Sequence, residues 1–507
     1  MLLSIKNRVS SIENRVSSML CEICRENQVS FIISVSEDSS VREIRVCEEC
    51  ATCDVEHRIP DKHGDSELVD KECPECHSRY QKIKRDMNGR DDLPLLGCPV
   101  CYTEFREELT PLLRRIHGSV AHVGKAHKAK SKRRRTKHKE QTAKGKKNYN
   151  LRSMVRGPRA EAEWMQGNGP DCDVVISTRV RLARNLPGYR FCNLAEPSEL
   201  DQIATIVEDA VSFLNKGGNL PLRNASTIRL EHLDDIDREF LIERHLISRD
   251  LAEKNGTAKA IVGEKEIVSI MLNEEDHIRL QVINSGLRIR QSWEIIDAID
   301  DGLGQELDYA CSSGWGYLTA CPTNVGTGLR VSVMLHIPAL AATKEGGKVL
   351  SSVSDMGYTI RGMYGEGSQA IGAFYQISNE ATLGQTEEEI TDRIQSIARQ
   401  IMDREREERQ LLVERNGLKL EDTVFRSYGT LVNSRSMSSR EAQTLLSWVS
   451  LGVNIGILSE ASRSDIAQLL VLTRPAHLQK YEGRRLDAAA RDISRAAVIR
   501  AILAGNG

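Results

Sequence analysis

The sequence lacks the glycine-rich loops by which most nucleotide-binding chains cradle phosphate. It contains neither a G-x-x-x-x-G-K-[ST] segment nor a glycine-rich loop followed by H-R-D and D-F-G segments. If a nucleotide binds, other groups must hold its phosphates. No run of about 18 apolar residues reads as a transmembrane helix. The first 18 residues break their apolar pairs with Lys6, Glu13 and Arg15, so they lack the apolar core of a signal peptide and read as an N-terminal extension. A cytoplasmic protein is expected, in which cysteine pairs are metal ligands rather than disulfides.

Cysteine is concentrated at the front. Nine of the thirteen cysteines precede residue 102, and eight of them form the C-x-x-C pairs Cys21/Cys24, Cys47/Cys50, Cys73/Cys76 and Cys98/Cys101. Twenty-two residues separate Cys24 from Cys47 and twenty-one separate Cys76 from Cys98, which is an internal repeat of a four-cysteine unit. Two intervening residues let both thiolates of a pair reach one tetrahedral ion. Residues 19–118 are therefore expected to hold structural Zn²⁺. Pairing within each half is the simplest assignment, with a cross-braced arrangement as the alternative. Modules of this kind dock onto proteins as well as onto nucleic acid.

The net charge of −2 conceals an uneven distribution. Residues 125–147 are crowded with Lys and Arg and carry a single acid, Glu140. Such a stretch could grip nucleic acid or an acidic protein surface. Without interleaved aromatics or a helical pattern it reads better as a solvated linker over 119–154, and direct nucleic-acid binding is not expected. Residues 155–385 show a mixed strand and helix pattern, with strands expected at Val174–Ile176, Glu266–Leu272 and Arg330–Ile337. Helical spacing at 386–415, 440–458 and 464–472 makes 386–507 a helical subdomain.

Arginine is the obvious substitute for a glycine cradle, because its planar fork donates bidentate bonds to phosphate and stays charged. Arg179 and Arg181 stand two apart after the run Val174–Ile176, so on a strand they share a face. Arg279 follows NEEDHI, Arg330 opens RVSVMLHIP after a glycine-rich turn, and Arg361 opens RGMYGE. Together they would form the cationic clamp that phosphoryl transfer needs. No aspartate cluster suggests a protein-held metal, so any Mg²⁺ is expected to arrive with the nucleotide.

Four segments carry a resemblance. STRVRLARN (177–185), NEEDHIR (273–279), CPTNVGTGLR (321–330) and RGMYGEGS (361–368) resemble, in order and spacing, the signature segments of the phosphagen (guanidino) kinases, and most of all the bacterial protein-arginine kinases. Residues 19–118 resemble that family's zinc-binding activator, so the chain looks like an activator–kinase fusion. The resemblance implies an α+β fold: an antiparallel sheet flanked by helices, a C-terminal helical subdomain, and a small treble-Cys-type zinc module in front. It implies ATP contacts at Ser177, Thr178, Arg179, Val180, Arg181, His245, Arg279, Arg330, Val331, Ser332, Val333, Met334, Arg361, Gly362, Met363, Tyr364, Gly365 and Glu366. It assigns Glu275 and Glu366 to the acceptor guanidinium and Cys321 to the reactive thiol beside it.

An arginine guanidinium has a pKa above ~12 and almost no free base at neutral pH. Two carboxylates can align its fork and take the proton as the N–P bond forms. The small-molecule members of the family close the acceptor site with an extra N-terminal helical domain. Here only some twenty residues lie between the linker and Ser177, which suits arginine presented on a polypeptide. Arg491, Asp492, Arg495 and Ala496 resemble the family's phosphoarginine-binding R-D-x-x-R-A motif. The partners implied are protein substrates, a Clp unfoldase, a heat-shock repressor and further copies of the chain. The helical hairpin that usually follows the activator's zinc module has no counterpart in the basic stretch.

Overall fold

The computed structural model describes residues 71–80, 95–126, 151, 161–216, 220–362 and 371–503, with short strand segments at 10–11, 31–37, 40–46, 84–85 and 91–92. The chain divides into two compact units, Met1–Asp70 and Lys71–Gly507. In the first, Phe31–Glu37 pairs antiparallel with Ser40–Val46 and with Ser10–Ser11. Cys21, Cys24, Cys47 and Cys50 lie outside the described residues, as does the basic stretch 127–150.

The second unit is built on an eight-stranded antiparallel sheet. Its strands are β1 (Val175–Arg184), β2 (Ser226–Arg229), β3 (Lys259–Val262), β4 (Val268–Leu272), β5 (Ile278–Ser285), β6 (Leu329–His336), β7 (Tyr358–Gly362) and β8 (Phe374–Asn379). The spatial order is β7-β8-β6-β1-β5-β4-β3-β2. Side chains alternate across a strand. One face of the central strands presents Val180 and Leu182, Leu280 and Val282, and Val331 and Val333 to an apolar core. Helices α2 (Pro197–Lys216) and α4 (Ile289–Glu306) cover that face. Each fully buried Val, Leu or Ile contributes about 1.5–3 kcal/mol, so this face fixes the register of the sheet. The other face is left for chemistry.

Two shorter helices frame the site. Helix α1 (Arg106–His117) belongs to the zinc module and ends at Gly118, whose left-handed backbone (φ 70°) closes the last turn. Helix α3 (Asp235–Glu243) is capped by the Asp234 side chain. Past the Lys344–Asp355 helix, here α5, the long helix α6 (Glu387–Asn433) starts at a capping box of Thr386 and Glu389. Its first half places Ile390, Ile394, Ile397 and Ile401 in the sheet core. Its second half places Leu420, Val424 and Leu431 in a separate helical core. The non-helical residue Asn416 lies between the halves. That second core is completed by α7 (Ser439–Asn454), α8 (Arg463–Leu472) and α10 (Ala488–Leu503), with α9 (Pro475–Glu482) packed against α3.

Candidate active site

Register brings the arginines together. Arg330 on β6 lies opposite Arg181 on β1, which lies opposite Gln281 on β5. One step along, Ser332, Arg179 and Ile283 align, and next to them Met334 and Ser177. Arg361 on β7 lies opposite Gln376 on β8, which lies opposite Met334. Directly paired residues share a face, and Arg279 shares it by standing two residues before Gln281. Five arginines from four strands thus line one patch.

The patch is electrostatically loaded. Burial and repulsion from Arg279, Arg330 and Arg361 lower Arg179 to about 10. Burial, then Arg179 and Arg279, push Arg181 well down, and burial and Arg361 lower Arg330. Arg279 differs: burial opposes its charge, but Glu274, with which it pairs directly, and the neighbouring Glu275 hold its pKa up. A polyphosphate is the ligand that offsets such repulsion.

A narrow cleft opens at one end of the patch, lined by Ser177, Arg179, His245, Ile283, Ser332, Met334 and Gln376. Arg179 donates to Gln376 Oε1 at 2.8 Å. His245 is lowered to about 3 by burial and by Arg179, so its ring is neutral. Other residues expected at the nucleotide face away. Val180, Val331 and Val333 sit in the apolar core, and Thr178 bonds Gly286 O at 2.7 Å behind the sheet. Strand alternation leaves these four only their backbone for a nucleotide. Arg361 and Gly362 are the described residues of the last segment; Met363, Tyr364, Gly365 and Glu366 lie outside.

The acceptor side is acidic. Glu275 accepts from Asn324 Nδ2 at 2.8 Å. Burial, reinforced by Asp276, holds its carboxyl above the usual range. Glu274 is the opposite case: burial raises it, but Arg279 and the Ser248 hydroxyl win and keep it low. Cys321, beside Thr323 Oγ1 at 3.0 Å, is pushed up to about 11 by burial and by Glu275, so at neutral pH it is a thiol. Sequence reasoning missed Glu274, Asn324, Gln281 and Gln376. Gln281 was readable in principle from its two-residue spacing to Arg279, whereas the strand that carries Gln376 was not expected.

The second zinc site is assembled. Cys73, Cys76, Cys98 and Cys101 are buried with their sulfurs all within 4.8 Å of one another. Four soft thiolates in a closed tetrahedral set fit structural Zn²⁺, with pairing inside the half as the spacing suggested. The module packs on the catalytic loops. Tyr102 donates to Thr319 O at 2.9 Å, and Phe105 and Leu113 share a core with Phe191, Trp315 and Ala320. His117 bonds Pro322 O through Nε2 at 2.9 Å and accepts Thr382 N–H on Nδ1 at 3.2 Å. The first residues of the expected linker follow the helices that flank the sheet instead. Lys125 N–H donates to both oxygens of Glu387, and its ammonium reaches Asp297 at 2.6 Å. Fixed carboxylates on α4 and α6 give that chain partners better than solvent.

In the R-D-x-x-R-A segment, Arg495 is buried and donates to Thr473 O at 2.8 Å, Met437 O at 2.8 Å and Asp492 at 2.5 Å. Ala496 is buried; Arg491, which donates to Leu486 O at 2.9 Å, and Asp492 are half-buried.

A face of arginines beside a raised carboxylate defines an ATP:guanidino phosphotransferase, and residues 203–408 match the ATP:guanido phosphotransferase C-terminal catalytic domain. Residues 417–506 match the C-terminal domain of the protein-arginine kinase McsB, and residues 71–124 the McsA central zinc-finger domain. The protein-arginine kinases of Halothermothrix orenii and Desulforamulus reducens are both 44% identical, over 67% and 69% of this chain and 95% and 97% of theirs. Among solved structures, a taurocyamine kinase from Schistosoma mansoni shares 22% identity at a TM-score of 0.48, covering 62% of this chain and 41% of that one. The chain belongs to the protein-arginine kinase family; it is an ATP-dependent phosphotransferase acting on arginine. No helix among the described residues is long and apolar enough to cross a membrane.

Proposed function

We propose that the acceptor is an arginine on a protein, with Glu275 as the base. The buried, raised Glu275 carboxyl, held by Asn324 next to the arginine patch, carries this reading. The patch binds the ATP phosphates, with Mg²⁺ supplying further charge neutralisation when bound. Glu275 aligns the acceptor guanidinium, and Glu366 is its partner by resemblance. As a terminal guanidino nitrogen forms its bond to the γ-phosphorus, the bond to the ADP oxygen breaks and the nitrogen's proton passes to Glu275. The Cys321 thiol lies beside the same cation. His245 serves the nucleotide.

The zinc module acts in cis. Its His117 holds the Pro322–Asn324 turn that presents Asn324 to Glu275. The remaining roles rest on the resemblance alone: marking proteins for a Clp unfoldase, restraining a heat-shock repressor, assembling with further copies in the cytoplasm, and binding phosphoarginine at Arg491–Ala496. Incubation with ATP, Mg²⁺ and casein, followed by mass-spectrometric mapping of acid-labile phosphate, tests the core claim. Label on casein arginine is expected. Label confined to added free arginine would refute a protein acceptor, and absence of transfer would refute the kinase reading.

A further inference from the structure

His245 has a backbone that its surroundings must impose. Its φ of 57° lies in the left-handed region, a conformation that persists in a non-glycine residue where neighbours over-determine it and that concentrates at functional sites. Gln281 Nε2 donates to His245 O at 2.5 Å. Two further supports tie this turn to the helical region as well as to the sheet. The Trp164 ring lies 5.1 Å from the imidazole, and Trp164 shares a small apolar cluster with Val471 of α8 and Ile283 of β5. Glu243, two residues before His245, accepts Ala476 N–H and His477 N–H, each at 2.9 Å, and His477 Nδ1 lies 2.8 Å away. That buried carboxylate caps the N-terminus of α9. The corner between α8 and α9 therefore grips the His245 turn from two sides.

We propose that this corner, acting through Trp164 and Glu243, positions His245 and so sets the affinity for ATP without taking part in transfer. Both are positioning residues. The inference rests on reading the His245 cleft as the nucleotide site.

The full chain is assayed for ATP KM, kcat and protein-acceptor KM. Trp164→Leu should raise the ATP KM roughly two- to tenfold, the size of a lost aromatic contact, with kcat and acceptor KM within about twofold. Trp164→Phe keeps a ring against His245 and should restore most of the affinity, while removing a nucleotide-dependent component of the tryptophan emission. Glu243→Gln should move the ATP KM in the same direction. An unchanged ATP KM in folded Trp164→Leu would overturn the proposal. If that variant does not fold, emission changes on ATP binding that persist in full in Trp164→Phe would do so. His245→Ala separates the two claims. If it leaves the ATP KM unaltered, the cleft reading itself fails. If it raises KM while Trp164→Leu does not, only the positioning inference fails.

Discussion

Replacing His117 by Ala should slow phosphoryl transfer, although His117 touches neither substrate. Its two ring nitrogens serve two buried backbone groups, Pro322 O at 2.9 Å and Thr382 N–H at 3.2 Å. Because Nδ1 accepts, Nε2 carries the proton, and alanine strands both partners. Each stranded group costs about 1–3 kcal/mol, so roughly 2–6 kcal/mol of docking is lost. The turn released is the one that carries Asn324 to Glu275. Misplacing a reacting group by about 1 Å can cost on the order of a hundredfold, and a partly tethered turn should cost between tenfold and that. The assay is single-turnover transfer to casein at saturating ATP, beside ATP binding by titration. A rate within twofold of the parent, with the variant folded and its zinc bound, would refute the buttress. Acid should mimic the substitution. Burial lowers the His117 pKa, so its stabilisation is present above the unfolded value of about 6.5 and is lost as pH falls below it.

Glu275→Gln should reduce transfer by roughly a hundredfold or more while ATP affinity stays within twofold; retained activity would remove Glu275 as base. Glu275 works deprotonated, and burial raises its pKa. The single-turnover rate should therefore fall with decreasing pH at values well above the usual carboxylate pKa of about 4.3; a flat profile down to pH 5 would contradict that environment. Stripping zinc with a chelator alone should lower the rate toward that of His117→Ala, with recovery on adding back Zn²⁺; full activity without zinc would sever the module from catalysis. Arg495→Ala should cost about 2–4 kcal/mol of stability, because its acceptors at Thr473, Met437 and Asp492 lose their donor; an unchanged melting temperature would show the bonds to be dispensable.

The site was legible where periodicity and chemistry coincide. Arg179 and Arg181 at a two-residue spacing declare a shared strand face, and their register with Arg330 follows once β1 and β6 pair. The Cys73/Cys76 and Cys98/Cys101 spacing made one metal site within the half the simplest assignment over a cross-braced one, and the four sulfurs converge. Long-range partnerships left no local trace. Nothing in C-P-T-N says that Asn324 meets Glu275, forty-nine residues away, or that His117 meets Pro322 at a separation of 205. Linear matching also treats every residue of a segment alike, whereas the pleat sends Arg179 and Ser332 into the cleft and Val180 and Val331 into the core.

Arg495 shows the same gap from the other side. The R-D-x-x-R-A resemblance implies phosphoarginine binding at Arg491 and Arg495, which stand four apart on one helix face. Tertiary packing turns Arg495 inward, onto the α8–α9 corner through Thr473 O, while Arg491 stays half-buried. A ligand reaching Arg495 would have to compete with three internal acceptors. Binding there would therefore disturb the same corner whose Ala476 and His477 N–H groups Glu243 accepts. A motif defined only by residue type thus lies one hydrogen bond from the segment that supports His245, a relation that the fold creates and the spacing alone does not contain.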